Sequence, residues 1–245
     1  MNTSDRVVPN ATLLIRPYAL KEALLSSQIE GTQSTLSEVM AEQKETSANI
    51  NIREVKNYEK ALNFGIANLN DPKGLPLSLR LLKEMHRILM TDVRGGEALK
   101  TPGEFRRSQN WIGGEDIQSA FFIPCSPETL DDHLANFEKA VHEDDLPVLI
   151  KAALLHYQFE TIHPFNDGNG RIGRLLVTLY LIDKKLLNQP LLYLSLYFKA
   201  YKNQYYDILT HVRETGDYER WLTFFLNGVL QVSASIEKTT RPILA

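Results

Sequence analysis

Segments whose apolar residues recur at helical spacing make up most of this sequence, and a short polar segment interrupts two of them. Leu146–Ile162 and Ile172–Leu187 are both apolar and both predict helices. The polar segment between them begins at His163 and holds three glycines within the twelve residues HPFNDGNGRIGR. Glycine permits backbone conformations that other residues rarely adopt. Any fold of this chain must therefore place a tight polar turn between two apolar helices.

The rest of the chain also predicts helices, with one exception. The exception is the glycine- and proline-containing stretch from Arg94 to Pro127, where Trp111-Ile112 and Phe121–Ile123 are the best strand candidates and predict a small hairpin. The fold class we predict is all-α with one β-hairpin insertion. The other predicted helices are Leu20–Ile29 with Gly31 as C-cap, a short helix opened by the capping box Thr35–Glu38, Asn51–Leu69, Leu79–Val93 capped by Ser78, a helix capped by Ser126, Ala200–Val212 and Tyr218–Val232.

Composition excludes several classes of protein. The chain has 27 Lys and Arg against 30 Asp and Glu, a net charge of −3, which argues against a surface built to bind nucleic acid or an anionic membrane. No apolar run is long enough to cross a bilayer. The single cysteine, Cys125, cannot form an intramolecular disulfide. We therefore expect a cytoplasmic protein that contacts neither membrane nor nucleic acid through this chain.

The polar segment has the residue types of an anion-binding site. Gly168 and Gly170 flank Asn169, so the backbone can turn tightly and direct its N–H groups to one point. A helix predicted to begin at about Asn169 adds the positive potential of its N-terminus. Arg171 and Arg174 are three residues apart and share one face of the first turn. This combination suits a polyphosphate.

Three further residues of the segment have candidate roles. Asp167 is a lone carboxylate beside the anion site, which is how Mg²⁺ is usually held together with phosphates and water. His163 can titrate near neutral pH and is a candidate general base. Phe165 is predicted to anchor the loop in the core. Each residue alone has an ordinary structural interpretation, but their joint occurrence favours a functional site.

The segment resembles the signature of the Fic family, H-x-F-x-[D/E]-G-N-G-R-x-x-R, at every specified position. The resemblance extends from about Leu13 to Thr223 and includes the GEFR sequence of Gly103–Arg106. Fic proteins are mostly helical enzymes that typically transfer AMP from ATP to a hydroxyl group of a target protein. The resemblance therefore implies a Fic-type helical core, ATP as substrate and Mg²⁺ as cofactor.

The resemblance also implies a role for each matching residue. His163 would deprotonate a Ser, Thr or Tyr hydroxyl, and Asp167 would hold Mg²⁺. Arg171 would contact the β-phosphate and Arg174 the γ-phosphate, with pyrophosphate as the leaving group. The α- and β-phosphates would lie in an anion hole formed by Gly168, Asn169 and Gly170.

A second sequence element lies far upstream. Residues 26–31, SSQIEG, resemble the inhibitory motif of Fic proteins, [S/T]-x-x-x-E-[G/N]. In that reading Glu30 pairs with Arg174 and occupies the γ-phosphate position, while Ser26 steadies the Glu30 carboxylate or the neighbouring loop. The resemblance predicts an N-terminal inhibitory helical segment over 1–48 and a catalytic core over 49–245. The alternative is an ordinary amphipathic helix with Glu30 at its solvated end.

Several interpretations stay open on the sequence. The hairpin near 110–124 matches the position of the family's flap, which would pair with a target segment, or it is a surface hairpin packed through Trp111 and Phe122. The reaction is AMP transfer, AMP removal or transfer from another phosphate donor, and a non-catalytic nucleotide-binding regulator is the third possibility. A homo-oligomer is possible. Minor candidates for contact with the nucleoside are Tyr197, Tyr201 and Asn203. The remaining histidines are expected to be structural and Cys125 inert.

Overall fold

The computed structural model describes residues 11–42, 48–94 and 101–244. Residues 1–10 and 43–47 of the predicted inhibitory segment lie outside this range. The described residues form helices, joined by turns and irregular segments, and contain no β-strand. The helices are α1 (Ala11–Ile29), α2 (Leu36–Ala41), α3 (Ile50–Asn70), α4 (Leu79–Leu89), α5 (Leu130–His142), α6 (Val148–Ile162), α7 (Asn169–Asp183), α8 (Ser195–Ala200), α9 (Lys202–Thr215) and α10 (Tyr218–Leu244).

Local capping residues set several helix boundaries as predicted. The Thr35 side chain accepts from the backbone N–H of Glu38, and the Glu38 carboxylate accepts from the N–H of Thr35, which completes the capping box of α2. Ser78 caps α4 through the N–H of Leu81. Gly31 follows α1 with φ of 93°, a backbone conformation that favours glycine. These contacts involve residues at most three positions apart, so the sequence alone reveals them.

Other boundaries were predicted wrongly. The helix α1 begins at Ala11 and accommodates Pro17, instead of beginning at Leu20. The helix expected after Ser126 begins at Leu130, because residues 126–129 form a turn in which Thr129 N–H donates to the Ser126 carbonyl. The helix predicted at Ala200–Val212 corresponds to α9, which begins at Lys202 and ends at Thr215, and the short helix α8 before it was not predicted. The helix α4 ends four residues earlier than predicted, and α10 extends twelve residues further.

The predicted hairpin is wrong as a strand pair. Ile112 and Phe122 form one isolated antiparallel bridge, and the residues between them make bends. The backbone N–H groups near the tip donate to side chains instead of across a ladder: Ser119 N–H bonds Asp116 Oδ1 at 2.9 Å. Side chains that compete for backbone groups in this way favour turns over strands. The segment 110–124, called the flap below, is therefore an irregular loop closed by one bridge.

The helix α7 lies at the centre of the fold. Nearly all of its side chains are buried, and it packs against α6, α3, α4 and α1. Its first two turns carry Arg171 and Arg174, and both side chains are buried too. Within the described ranges, no helix combines the length and the apolar character needed to cross a bilayer. The fold thus places the polar turn at the N-terminus of its most buried helix.

Candidate active site

His163 ends α6 in a left-handed conformation, with φ of 50° and ψ of 60°. Its N–H donates to the Phe159 carbonyl at 2.9 Å, which continues the helical hydrogen bonding by one residue. A left-handed conformation is uncommon for a residue other than glycine and often marks a functional constraint. The chain then turns through Pro164 and enters α7 at Asn169.

The loop between α6 and α7 is braced from inside. Phe165 is fully buried and stacks on the His86 ring at 3.8 Å between centroids, as predicted for a core anchor. The Asn169 side chain closes the loop, since its Oδ1 accepts from Phe165 N–H and its Nδ2 donates to the Phe165 carbonyl, both at 2.8 Å. His86 Nδ1 accepts from Gly103 N–H, so Nε2 carries the proton and donates to the Asp167 carbonyl. The side chain of Asn169 therefore closes the loop onto the backbone of Phe165.

Arg171 is buried among weak partners. Its Nη2 donates to the Met90 sulfur at 3.5 Å and lies 3.8 Å from Asp167 Oδ1, and its Nε has no hydrogen-bond partner among the described residues. Burying a guanidinium with so few strong acceptors is unfavourable unless an anion joins it. Gly168, with φ of 79°, opens the helix beside it. The arrangement has the chemistry of a site for an anionic ligand.

Arg174 is paired with a carboxylate from the end of α1. Its Nη2 lies 2.5 Å from Glu30 Oε1, and the side chain is 1% exposed against 33% for that of Glu30. Arg174 Nε donates to Ser26 Oγ at 2.7 Å and Nη2 to the Ser26 carbonyl at 3.1 Å. The pairing expected between Glu30 and Arg174 is present. Ser26, however, holds the arginine and not the carboxylate or the loop.

Gly170 leaves the space that this ion pair occupies. A Cβ added to Gly170 would collide with Glu30 Oε1 and come within 3.0 Å of Arg174 Nη1. Lys202 fixes the end of α1 from the other side, by donating to the Ile29 carbonyl at 2.5 Å. The end of α1 and the glycine-rich turn are therefore complementary in shape.

The charges of the pair stabilise each other. Burial opposes ionisation of Glu30, but the Arg174 charge and hydrogen bond outweigh it and lower the Glu30 pKa below its usual value. Burial likewise opposes the Arg174 charge, and Glu30 outweighs it, so the pKa of Arg174 is raised. Both side chains are charged at neutral pH.

His163 is held neutral. Burial lowers its pKa to about 4, and the charge of Arg213 acts in the same direction. Its Nδ1 lies 3.3 Å from the Glu160 carbonyl, an acceptor, so the proton belongs on Nδ1 and Nε2 keeps a free lone pair. A neutral imidazole with a free nitrogen is the form that a general base requires.

One cavity of about 1010 Å³ joins several of these groups. Glu30, His163, Gly170 and Arg174 line it, together with residues of the flap and of α9. Arg171 and Asp167 are not part of its lining. Residues contributed by the flap and by α9 include Trp111, Phe121, Asn203, Tyr205, Tyr206 and Arg213.

Of the three residues named as candidates for contact with the nucleoside, one lies at the cavity. Asn203 lines the cavity, but Tyr197 and Tyr201 do not: they pack against each other at 4.7 Å between ring centroids. Tyr205 and Tyr206 line it instead. Helical phase relative to Asn203 could have indicated Tyr206, since residues three apart share a helix face, but not Tyr205.

Glu160 was missed by the sequence reasoning. It lies one turn before His163, is buried, lines the cavity, and its Oε1 has no hydrogen-bond partner among the described residues. Burial raises its pKa to about 7. A Cβ on Gly173 would come within 2.5 Å of this oxygen, so that glycine makes room for it. Glu160 thus adds an unpaired carboxyl group to the cavity that also holds the Glu30–Arg174 pair.

Asp167 fits a shared metal site better than an enclosed one. Its side chain is 41% exposed, and its Oδ1 accepts from Gly168 N–H at 2.6 Å. The described residues contain no group of three or more His, Cys, Asp or Glu side chains placed to hold a metal. Mg²⁺ often binds one carboxylate and takes its other ligands from phosphate and water. A single exposed carboxylate beside an anion site fits that mode.

The flap presents apolar side chains to solvent at the cavity mouth. Phe121 is 79% exposed, and Trp111 and Ile123 are also exposed. Phe122 packs under the Arg213 guanidinium, whose carbon lies 4.1 Å from the ring centroid. The flap is thus anchored through Phe122, while Trp111 remains largely outside the core.

The helical fold places an anion site at the N-terminus of its central helix, beside a neutral histidine. Known proteins resemble this chain in both sequence and fold. The family profile described as Fic/DOC family matches residues 76–181, and the one described as Fic/DOC family N-terminal matches residues 1–67. The chain belongs to the Fic/DOC family.

Curated relatives and solved structures agree with this assignment. Two relatives named protein adenylyltransferase Fic are 32% identical over 168 residues (Culex quinquefasciatus) and 29% over 203 residues (Drosophila yakuba). These matches cover 67% and 80% of this chain but 29% and 37% of the relatives, so the chain spans about a third of their length. The crystal structure of a Fic family protein from Desulfovibrio desulfuricans G20 shares the fold, with a TM-score of 0.78 at 22% identity, over 97% of this chain and 69% of that one.

Proposed function

We propose that this protein is an autoinhibited adenylyltransferase that transfers AMP from ATP to a Ser, Thr or Tyr hydroxyl of a target protein, or of itself. The observation that carries the proposal is the convergence in one cavity of neutral His163, the helix N-terminus at Gly170 and the Glu30–Arg174 pair. The relatives named adenylyltransferase support the same reaction class.

The proposed reaction is an in-line displacement at the α-phosphorus. The target oxygen forms a bond to phosphorus while the bond to the bridging α–β oxygen breaks, and pyrophosphate leaves with that oxygen. The hydroxyl proton moves to Nε2 of His163. Arg171, Arg174 and the first N–H groups of α7 offset the charge that develops on pyrophosphate.

Asp167 would hold Mg²⁺, with the phosphates as further ligands. The ion would neutralise charge on the β- and γ-phosphates. The chain itself supplies the position of this carboxylate: Gly168 N–H orients Oδ1, and the Asp167 carbonyl is held by His86.

Inhibition in this proposal is electrostatic. Glu30 pairs with the Arg174 guanidinium that a γ-phosphate would otherwise bind. Gly170 has no side chain that would keep Glu30 and Arg174 apart. ATP can then bind only with its phosphates displaced from the in-line arrangement, and displacements of about 1 Å can lower a rate ~10²-fold. Residues 1–48 form the inhibitory segment and residues 49–245 the catalytic core in this account.

The target would bind at the flap. Its exposed Phe121 and Trp111 lie at the cavity mouth and offer apolar contacts, and its single bridge leaves backbone groups for pairing with an extended segment. A target with an apolar residue near the modified hydroxyl fits this surface.

AMP removal is a second candidate reaction, supported by the position of Glu30. A third of this carboxylate side chain is exposed, and it lines the same cavity as His163, so it can orient a water molecule for hydrolysis. Incubating an adenylylated sample with the parent chain and with Glu30→Gln tests this, because only the parent should release AMP.

The test of the main proposal uses the variant Glu30→Gly with Mg²⁺ and ATP labelled at the α- or γ-phosphate, alone and with a cell lysate. We expect retention of the α-label and an intact-mass gain of one AMP. The double variant with His163→Ala should retain none. Retention of the γ-label would instead indicate phosphoryl transfer, and retention of neither label would indicate a binding role.

A further inference from the structure

Arg106 is buried where the chain enters the flap, with 3% of its surface exposed. On one side it binds the backbone around His163. Its Nε donates to the His163 carbonyl at 3.0 Å and its Nη2 lies 3.4 Å from the Ile162 carbonyl, while its backbone N–H donates to the Pro164 carbonyl at 2.9 Å. These are carbonyls that the end of α6 leaves without helical partners. Arg106 therefore satisfies the turn that sets the direction of His163.

On the other side, Arg106 binds both ends of the flap. Its Nη2 donates to the Cys125 carbonyl at 2.5 Å, just after the flap, and its Nη1 lies 3.4 Å from the Ser108 carbonyl, just before it. One planar guanidinium thus links the flap ends to the backbone of His163. A lysine could reach one of these carbonyls but not all of them, since it carries a single ammonium group.

Asn110 adds a second, independent link. Its Nδ2 donates to the His163 carbonyl at 3.2 Å and to the Phe165 carbonyl at 3.0 Å. The carbonyl of His163 thus accepts from both Arg106 and Asn110. A carbonyl held by two donors has little freedom, so the left-handed conformation of His163 is fixed from the flap side.

Resting on the proposed function, we propose that Arg106 and Asn110 are positioning residues that fix His163 relative to the target-binding flap. They act on AMP transfer and not on nucleotide binding, because none of their contacts involves the anion-binding turn at Gly168–Arg171 or the Arg174 guanidinium.

The charge of Arg106 has a further consequence for His163. Within the described part of the chain, no carboxylate pairs with Arg106, whose partners are carbonyls and the Cys125 sulfur. Its charge is therefore not neutralised locally, and it adds to the burial and the Arg213 charge that lower the pKa of His163. Position and protonation state of the base thus depend on the same side chain.

The test compares Arg106→Lys and Asn110→Ala, each in the Glu30→Gly background, with the control Arg107→Lys. Arg107 is the exposed neighbour of Arg106, so the control applies the same substitution to an arginine outside the contacts between the flap and His163. Initial rates of self-labelling with α-labelled ATP and Kd values for Mg-ATP are measured for each. We expect transfer to fall ~10²-fold in the two variants with Kd changed less than about twofold, and no change in the control.

NMR of the His163 imidazole supplies a readout that does not depend on transfer. We expect Arg106→Lys and Asn110→Ala to shift its ring resonances, at a melting temperature that still shows a folded protein. Asn110→Ala keeps the test decisive if Arg106→Lys fails to fold. Folded variants with parental transfer rates and parental His163 resonances would overturn the inference. If no variant labels but His163 still shifts, the proposed function fails and the positioning role stands.

Discussion

Arg174 and Arg106 are both almost completely buried, yet they are held by partners of different kinds. Arg174 is bound by the Glu30 carboxylate and the Ser26 hydroxyl at the end of α1. Arg106 is bound by main-chain carbonyls at the end of α6 and at both ends of the flap. Arg174 has an anionic partner, whereas the partners of Arg106 are uncharged and are mostly backbone carbonyls.

The difference separates an exchangeable contact from a permanent one. A carboxylate on one side chain can be replaced by another anion of similar geometry, such as a phosphate, without moving the helix that carries the arginine. Backbone carbonyls cannot leave without unfolding the turn to which they belong. The Arg174 region is thus suited to regulation and ligand binding, and the Arg106 region to holding the reacting groups in place.

The largest expected effect comes from replacing His163, the proposed base. In the Glu30→Gly background, His163→Ala should lower AMP transfer ~10²- to 10⁴-fold, because the hydroxyl loses its base. The Kd for Mg-ATP should stay within about twofold, since the anion site is intact. Labelling rates and calorimetric binding check this, with exposed His133→Ala as control. Unchanged transfer would remove His163 from the reaction.

The exchangeable contact is tested by removing its anion. Glu30→Gln and Glu30→Gly should each raise AMP transfer about 10-fold or more, because Arg174 becomes available to the γ-phosphate. The matched control is Glu84→Gln, which alters an exposed ion pair with Arg87. Equal rates for the parent and both Glu30 variants would show that the pair is merely structural.

Glu160 sharpens the contrast because it is a second, unpaired carboxyl near Arg174. Burial raises its pKa to about 7 from an ordinary 4.5, so the fold prefers the neutral form. The stabilisation from this group is complete below pH 4.5 and is lost as pH rises towards 7. Chemical unfolding of Glu160→Gln and parent should therefore diverge over this range, by up to about 3 kcal/mol in favour of glutamine. A difference that is independent of pH would contradict a buried neutral Glu160.

The smallest expected effect concerns the pH dependence of AMP transfer, which should show no decrease in rate as pH falls from 8 to 6. With the pKa of His163 at about 4, the base is already neutral throughout the physiological range. In the double variant Glu30→Gly, Glu160→Gln, transfer should therefore vary less than about twofold between pH 6 and 8. A histidine with an ordinary pKa of 6.5 would lose most of its activity at pH 6 relative to pH 8.

The same contrast explains what could be predicted from sequence. The Glu30–Arg174 pair and the polar turn were accessible, because their residue types carry the chemistry and resemble family motifs. Arg106, Asn110 and Glu160 were not assigned roles: the first two act on carbonyls, which every residue has, and the third depends on burial. The predicted hairpin failed for a related reason, since side chains within the loop compete for its backbone hydrogen bonds.

The claim that Glu30 stands in the place of the γ-phosphate is tested most directly by comparing two nucleotides. Kd values for Mg-ATP and Mg-ADP are measured by calorimetry on the parent chain and on Glu30→Gln, with Glu84→Gln as control. Because only ATP has a γ-phosphate, the account predicts that Glu30→Gln tightens ATP about 10-fold or more and ADP less than about twofold. Equal tightening of both nucleotides, or of neither, would contradict it.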